Sequence, residues 1–133
     1  MPETVVLVDD SRDFLDAAHA VLEQGGMHVV GTASTPSEAI GRVGDTQPDV
    51  VLIDVHLGSS SGLELAHDLV PEGRTTPVVI MVSTAPAEDV VPLLSGTPAA
   101  GFVPKAELSA AAVAAILRDH RHPGGAPGAR SRY

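Results

Sequence analysis

Apolar runs and amphipathic stretches alternate along this chain. Residues 4–9, Thr-Val-Val-Leu-Val-Asp, are continuous and β-branched, the pattern of a strand buried on both faces. Ser11 is placed to cap a helix. Phe14, Ala17, Ala18, Val21 and Leu22 then recur at helical spacing and predict one inward stripe. Gly25-Gly26 stops that helix. His28-Val29-Val30-Gly31-Thr32 reads as a weaker strand. Thr35-Pro36-Ser37-Glu38 is a strong helix start, with a cap, a first-turn proline and a capping-box glutamate. Ala39, Ile40 and Val43 are expected inside this second helix and Gly44 at its end.

The alternation continues. A third strand covers 50–54, a glycine-serine loop 58–62, and a helix with Leu63, Ala66 and Leu69 inward runs to about Val70. A fourth strand covers 77–83. Residues 87–95 look helical, but Pro92 sits among them and predicts a short, kinked or mobile fourth helix. Residues 100–104 form a fifth strand. Ser109 caps a last helix that turns Val113, Ile116 and Leu117 inward. The alanines of 110–115 reflect helix propensity. Residues 122–133 are rich in proline, glycine and arginine, so the folded unit is expected to end at 121 with a disordered tail beyond. There is no internal repeat. The whole predicts an α/β fold: a doubly wound, five-stranded parallel sheet with five helices on both faces.

Composition narrows the picture. With 133 residues, 44% of them apolar, the chain fits one domain. Its core must be aliphatic, since it has two Phe, one Tyr and no Trp. Cysteine is absent, which excludes disulfides and thiol chemistry. No apolar stretch reaches bilayer length, and the start lacks signal-peptide character. A cytoplasmic protein without membrane insertion is the expectation. The formal charge is −9 and uneven: residues 1–117 carry −12 and residues 118–133 carry +3. An acidic body argues against direct nucleic-acid binding.

Candidate chemistry gathers where such folds keep it, beyond the carboxyl ends of the strands. Asp9 and Asp10 end the first strand, Asp54 the third and Ser83 the fourth. Lys105, the only lysine in the chain, follows the fifth. Clustered carboxylates repel and resist desolvation, so a fold keeps them where a divalent cation or a phosphoryl group uses them. Each residue alone has a plainer reading. Asp9-Asp10-Ser11 can be a strand exit and cap, Ser83 a strand-end hydroxyl, Phe102 core, and Lys105 a solvated charge. His19, His28 and His67 share no metal-like spacing and read as surface or packed residues.

Taken together and in order, these residues resemble the receiver domain of two-component response regulators, over about residues 4–120. Asp9-Asp10 look like that family's metal-binding acidic pair. Asp54, 44 residues after Asp10, stands at the phosphoacceptor position. Ser83 and Lys105, 22 residues apart, match the hydroxyl and lysine that end the fourth and fifth strands. Phe102 matches the aromatic switch, and Gly62 the glycine that opens the third helix. The resemblance implies a flavodoxin-like receiver fold and a phosphoryl group taken onto Asp54 from a sensor histidine kinase or phosphotransfer protein. It also implies Mg²⁺ held by Asp9, Asp10, Asp54 and the backbone carbonyl of His56. Ser83 and Lys105 would meet the phosphoryl oxygens. Ser83 and Phe102 would then alter a downstream protein's affinity for the face of helix four, strand five and helix five. No turnover enzyme is implied.

Three positions depart from the family pattern. Ala106 follows Lys105 where proline is common, so a cis peptide after the lysine is not assumed. Gly58 replaces a frequent proline. Thr84 follows Ser83 where smaller residues are usual, and its methyl can narrow access. Two rival readings stand: the regulatory part of a longer DNA-binding regulator, and an interaction module that works without phosphorylation.

Overall fold

The computed structural model describes residues 2–121. The expected disordered tail, residues 122–133, lies outside them. Five parallel strands form one sheet: β1 (Thr4–Val8), β2 (His28–Ala33), β3 (Val50–Asp54), β4 (Val78–Ser83) and β5 (Gly101–Pro104), in the order β2-β1-β3-β4-β5. Helices α1 (Arg12–Gln24), α2 (Pro36–Thr46), α3 (Gly62–Leu69), α4 (Ala87–Val90) and α5 (Ala110–Arg121) connect and flank them. This is the doubly wound five-stranded architecture that the alternation predicts.

The strands divide their side chains between two cores. Val5, Leu7, Leu52 and Ile80 face Leu15, Ala18 and Leu22 of α1 and Val113 and Leu117 of α5. Val6, Val8, Ile53 and Met81 face Ala39 of α2, Leu65, Ala66 and Leu69 of α3, and Val90 of α4. Burial on both faces is why β1, β3 and β4 read as unbroken apolar runs.

Several helix faces differ from expectation. In α1 the buried line is Leu15, Ala18 and Leu22, while Ala17 is exposed and Val21 is 39% exposed. The stripe is rotated by one residue, with Phe14 only partly buried at its margin. In α2 only Ala39 is buried, and Ile40 is 48% exposed. The helix passes through Gly44, on its exposed side, to Thr46, whose hydroxyl donates to the Arg42 carbonyl at 2.7 Å. Gln47, left-handed at φ 46°, ends it instead. Leu65, absent from the expected stripe, is the fully buried leucine of α3, and Leu63 is half-buried. In α5 Ile116 is half-buried, closing over Gly101.

The Pro92 expectation holds. The fourth helix is one α-turn followed by a 3₁₀ turn, Val91–Leu94, that contains the proline. Val91 and Leu93 are exposed on it. At the opposite end of the sheet the Arg121 guanidinium clamps both carboxylate oxygens of Glu3, at 3.1 and 2.9 Å, and ties the end of α5 to the start of β1.

Candidate functional site

The carboxyl ends of β1, β3, β4 and β5 meet at one edge. Asp9, one residue past β1, is fully buried. Its Oδ1 accepts the Ser11 N–H at 2.8 Å, and the Ser11 hydroxyl in turn accepts the Phe14 N–H at 3.2 Å. Strand exit and helix cap are therefore real roles of this segment, and they aim the Asp9 carboxylate inward. Asp10 is exposed. Asp54, the last residue of β3, is 8% exposed, and its Oδ1 accepts the His56 N–H at 3.1 Å.

Lys105 closes the group. Its Nζ donates to Asp54 Oδ2 at 3.0 Å and lies 2.6 Å from Asp9 Oδ2. The ammonium therefore bridges the two buried carboxylates and is the partner of Asp9 Oδ2. The ammonium also sits 4.4 Å from the centroid of the Phe14 ring, within cation–π range. Burial pushes the Asp9 carboxyl above the ordinary carboxylate range, against the opposing pull of Lys105 and the Ser11 N–H. Burial alone would lower the Lys105 ammonium, but its contacts with Asp9 and Asp54 outweigh that and raise it. Carboxylate oxygens of Asp9, Asp10 and Asp54 all lie within 4.8 Å of one another.

Ser83, at the end of β4, is buried, and its hydroxyl accepts the Ala85 N–H at 3.0 Å. Phe102 is half-buried and packs on the α2, α3 and α4 side of the sheet. His56 is exposed beside the cluster. Between β3 and α3 a small antiparallel ribbon pairs His56–Leu57 with Ser60–Ser61. Gly58, first of its two linking residues, has φ 59°, which proline cannot adopt. That departure from the family pattern belongs to the geometry of the turn. Gly62 opens α3 against the backbone, and a Cβ there would overlap the Asp54 carbonyl oxygen. No cis bond follows Lys105; the cis peptide found among the described residues is Thr76–Pro77.

Sequence reasoning missed Phe14 as a partner of the lysine. Its place in the apolar stripe of α1 masked the role. A groove of about 820 Å³ lies elsewhere, at the amino ends of the strands between Asp49, Thr76, Ala100 and Arg121. It brings together no comparable set of reactive groups.

Comparison with known proteins agrees with this geometry. The pattern of the response regulator receiver domain matches residues 5–117. The chain is 39% identical over 89 residues to a protein-glutamate methylesterase/protein-glutamine glutaminase of Halobacterium salinarum, covering 67% of this chain and 25% of that protein. It is 34% identical over 88 residues to the probable transcriptional regulatory protein TcrX of Mycobacterium tuberculosis, covering 66% and 37%. The chain thus spans from 25% to 37% of the length of these two curated relatives. Among solved structures it resembles the signal receiver domain of the response regulator NarL from Mycobacterium tuberculosis. There the TM-score is 0.75 at 25% identity, over 90% of this chain and 97% of that one. A CheY-like receiver domain protein from Methanospirillum hungatei shares the fold with a TM-score of 0.73 at 22% identity, over 92% and 96%. With an acidic cluster at the carboxyl edge of a five-stranded parallel sheet and a lysine bridging its two buried members, this chain belongs to the response regulator receiver domain family.

Proposed function

We propose that this chain is a phosphoacceptor switch. Asp54 takes a phosphoryl group from a phosphohistidine on a sensor kinase or phosphotransfer protein, and a partner protein reads the change. The observation that carries this reading is the setting of Asp54: one strand-end carboxylate held by Lys105, with Asp9 and Asp10 beside it.

In the step, a carboxylate oxygen of Asp54 attacks phosphorus. The P–N bond to the donor imidazole breaks, its electron pair stays on that ring, and an acyl phosphate forms. Such a transfer depends mainly on positioning and on compensating the spread charge of the phosphoryl oxygens. The His56 N–H fixes the Asp54 carboxylate from one side and Lys105 from the other. Once the carboxylate carries the phosphoryl group, the ammonium is left to hold a phosphoryl oxygen. Ser83 accepts a hydrogen bond from Ala85 and keeps its own proton to donate. Its movement toward the new charge would vacate space for the Phe102 ring.

We assign Asp9, Asp10, Asp54 and the His56 backbone carbonyl to hold Mg²⁺, which when bound would neutralise charge on the phosphoryl group. Two features support the fit. The donors are hard oxygens, and carboxylate oxygens of all three aspartates gather within 4.8 Å of one another, more negative charge than the single Lys105 ammonium offsets. The output face is assigned to the Pro92-containing turn, β5 and α5, where Val91 and Leu93 are exposed. No described helix is long and apolar enough to cross a membrane. We take residues 1–121 as the receiver unit. A second reading, that this receiver governs an attached output unit, draws on the small share of its relatives that it spans. The length of the full coding sequence decides that point.

The test is incubation with acetyl phosphate or phosphoramidate and Mg²⁺, followed by intact-mass analysis. One phosphoryl group should be added, with none on Asp54→Asn and none in excess EDTA. Undiminished labelling of the Asn variant rejects Asp54, and equal labelling in EDTA rejects the metal.

A further inference from the structure

The lysine of the acidic edge has a neighbour that is not a carboxylate. Phe14 stands in the first turn of α1, its N–H held by the Ser11 hydroxyl at 3.2 Å. Ser11 in turn gives its own N–H to Asp9 Oδ1 at 2.8 Å. The half-buried Phe14 side chain packs against the core shared by α1 and α5, and its ring centroid lies 4.4 Å from Lys105 Nζ. That Nζ returns to Asp9 Oδ2 at 2.6 Å. Asp9, Ser11, Phe14 and Lys105 thus close a circuit of contacts that ties the start of α1 to the ammonium.

A lysine stem is long and flexible, and fixing it costs rotamer entropy. The carboxylates that fix this one are the groups the reaction changes. Asp9 Oδ2 and Asp54 Oδ2, which hold the ammonium, belong to the carboxylates assigned to the cation, and Asp54 is also the group that is phosphorylated. The Phe14 ring neither titrates nor takes the phosphoryl group, so it stays with the ammonium as those partners change. An aromatic face attracts a cation, and more strongly where water is kept out; the Lys105 side chain is only 14% exposed.

We propose that Phe14 is a positioning residue for phosphoryl transfer: its ring keeps the Lys105 ammonium at the acidic edge, ready for the phosphoryl oxygens, as Asp9 and Asp54 release it. The inference rests on Asp54 being the phosphoacceptor. A leucine at position 14 would fill much of the same space without attracting the charge, which separates positioning from packing.

The test has two arms, both on the full chain. Isotope-labelled lysine reports Lys105 alone, since the chain has no other lysine. Without phosphodonor, the Lys105 ε-methylene protons should be displaced upfield by the ring in wild type and in Phe14→Tyr, and return toward the free-lysine position in Phe14→Leu. Acetyl phosphate with Mg²⁺ then labels each protein, read by intact mass. Phe14→Leu should label about fivefold more slowly, and Phe14→Tyr near the wild-type rate. Ring-fluorinated phenylalanine placed at position 14 weakens the negative face with little change of shape, so labelling should slow in step with the number of fluorines. This inference alone is overturned if wild type labels and both Phe14→Leu and the fluorinated proteins label as fast, or if the Lys105 resonances do not move in Phe14→Leu. Wild-type protein that takes no label removes the phosphoacceptor reading, and this inference with it.

Discussion

Asp9 is a site carboxylate whose setting works against its own charge. It is fully buried, and desolvation raises its carboxyl above the ordinary range even with Lys105 at 2.6 Å. The folded protein therefore binds that proton more tightly than the unfolded chain does. Its contribution to stability is full below the unfolded value and is lost as pH rises through the folded one. At neutral pH the ionised carboxylate is a net cost. Asp9→Asn should melt several degrees higher than wild type at pH 7, and the gap should close on acidification as the native carboxyl protonates. Thermal unfolding from pH 7 downward checks both parts. Removing the Lys105 charge acts the other way on stability at pH 7. Lys105→Ala leaves two buried carboxylates without their cation. That should cost about 2 kcal/mol, less than for a fully buried pair because the lysine side chain keeps 14% exposure. The loss should shrink with millimolar Mg²⁺ and in an Asp9→Asn background. It should also come with slower phosphorylation, read by mass.

At the scale of elements, the join between β3 and α3 sets the position of Asp54. Gly62 donates its N–H to the Val55 carbonyl at 2.8 Å and leaves no room for a Cβ beneath the Asp54 carbonyl. Gly62→Ala must therefore push the strand end and the helix start apart. It should lose at least about 2 kcal/mol, measured by denaturant unfolding, and label more slowly. Much of this level was legible in the sequence. Continuous β-branched runs could only be buried strands, and Thr35-Pro36-Ser37-Glu38 could only start a helix; Thr35 indeed caps the Glu38 N–H. Helix faces were less legible. Short helices with many alanines and scattered valines support two neighbouring stripes, and packing against the sheet chose Leu15 over Ala17 and left Ile40 outside. The Asp54-to-Lys105 contact spans 51 residues and follows from topology, which spacing alone conveys only once the strands are known. Phe14 under the lysine left no sequence signal, because that contact depends on side-chain direction.

For the molecule as a whole, the sheet separates two layers of unequal rigidity. On one side α1 and α5 are long helices packed by Leu15, Leu22, Val113 and Leu117. On the other, the chain from Thr84 to Ala100 holds a four-residue helix and a proline-bearing 3₁₀ turn anchored by Val90. Few buried contacts and a lost backbone hydrogen bond make that segment the one least costly to rearrange. Binding of beryllofluoride, a phosphoryl mimic, should change hydrogen-exchange protection in residues 84–105 and leave α1 near its free-state values. A response confined to α1, or none with the mimic bound, would remove this segment as the switch.

The central claim is that Asp54 itself becomes the acyl phosphate. Borohydride reduces an aspartyl phosphate to homoserine and leaves free carboxylates untouched. Wild-type protein incubated with acetyl phosphate and Mg²⁺, reduced and digested, should yield homoserine at position 54 and nowhere else, and only when the phosphodonor is present. Homoserine at Asp9 or Asp10, or labelled protein that yields none, would contradict the account.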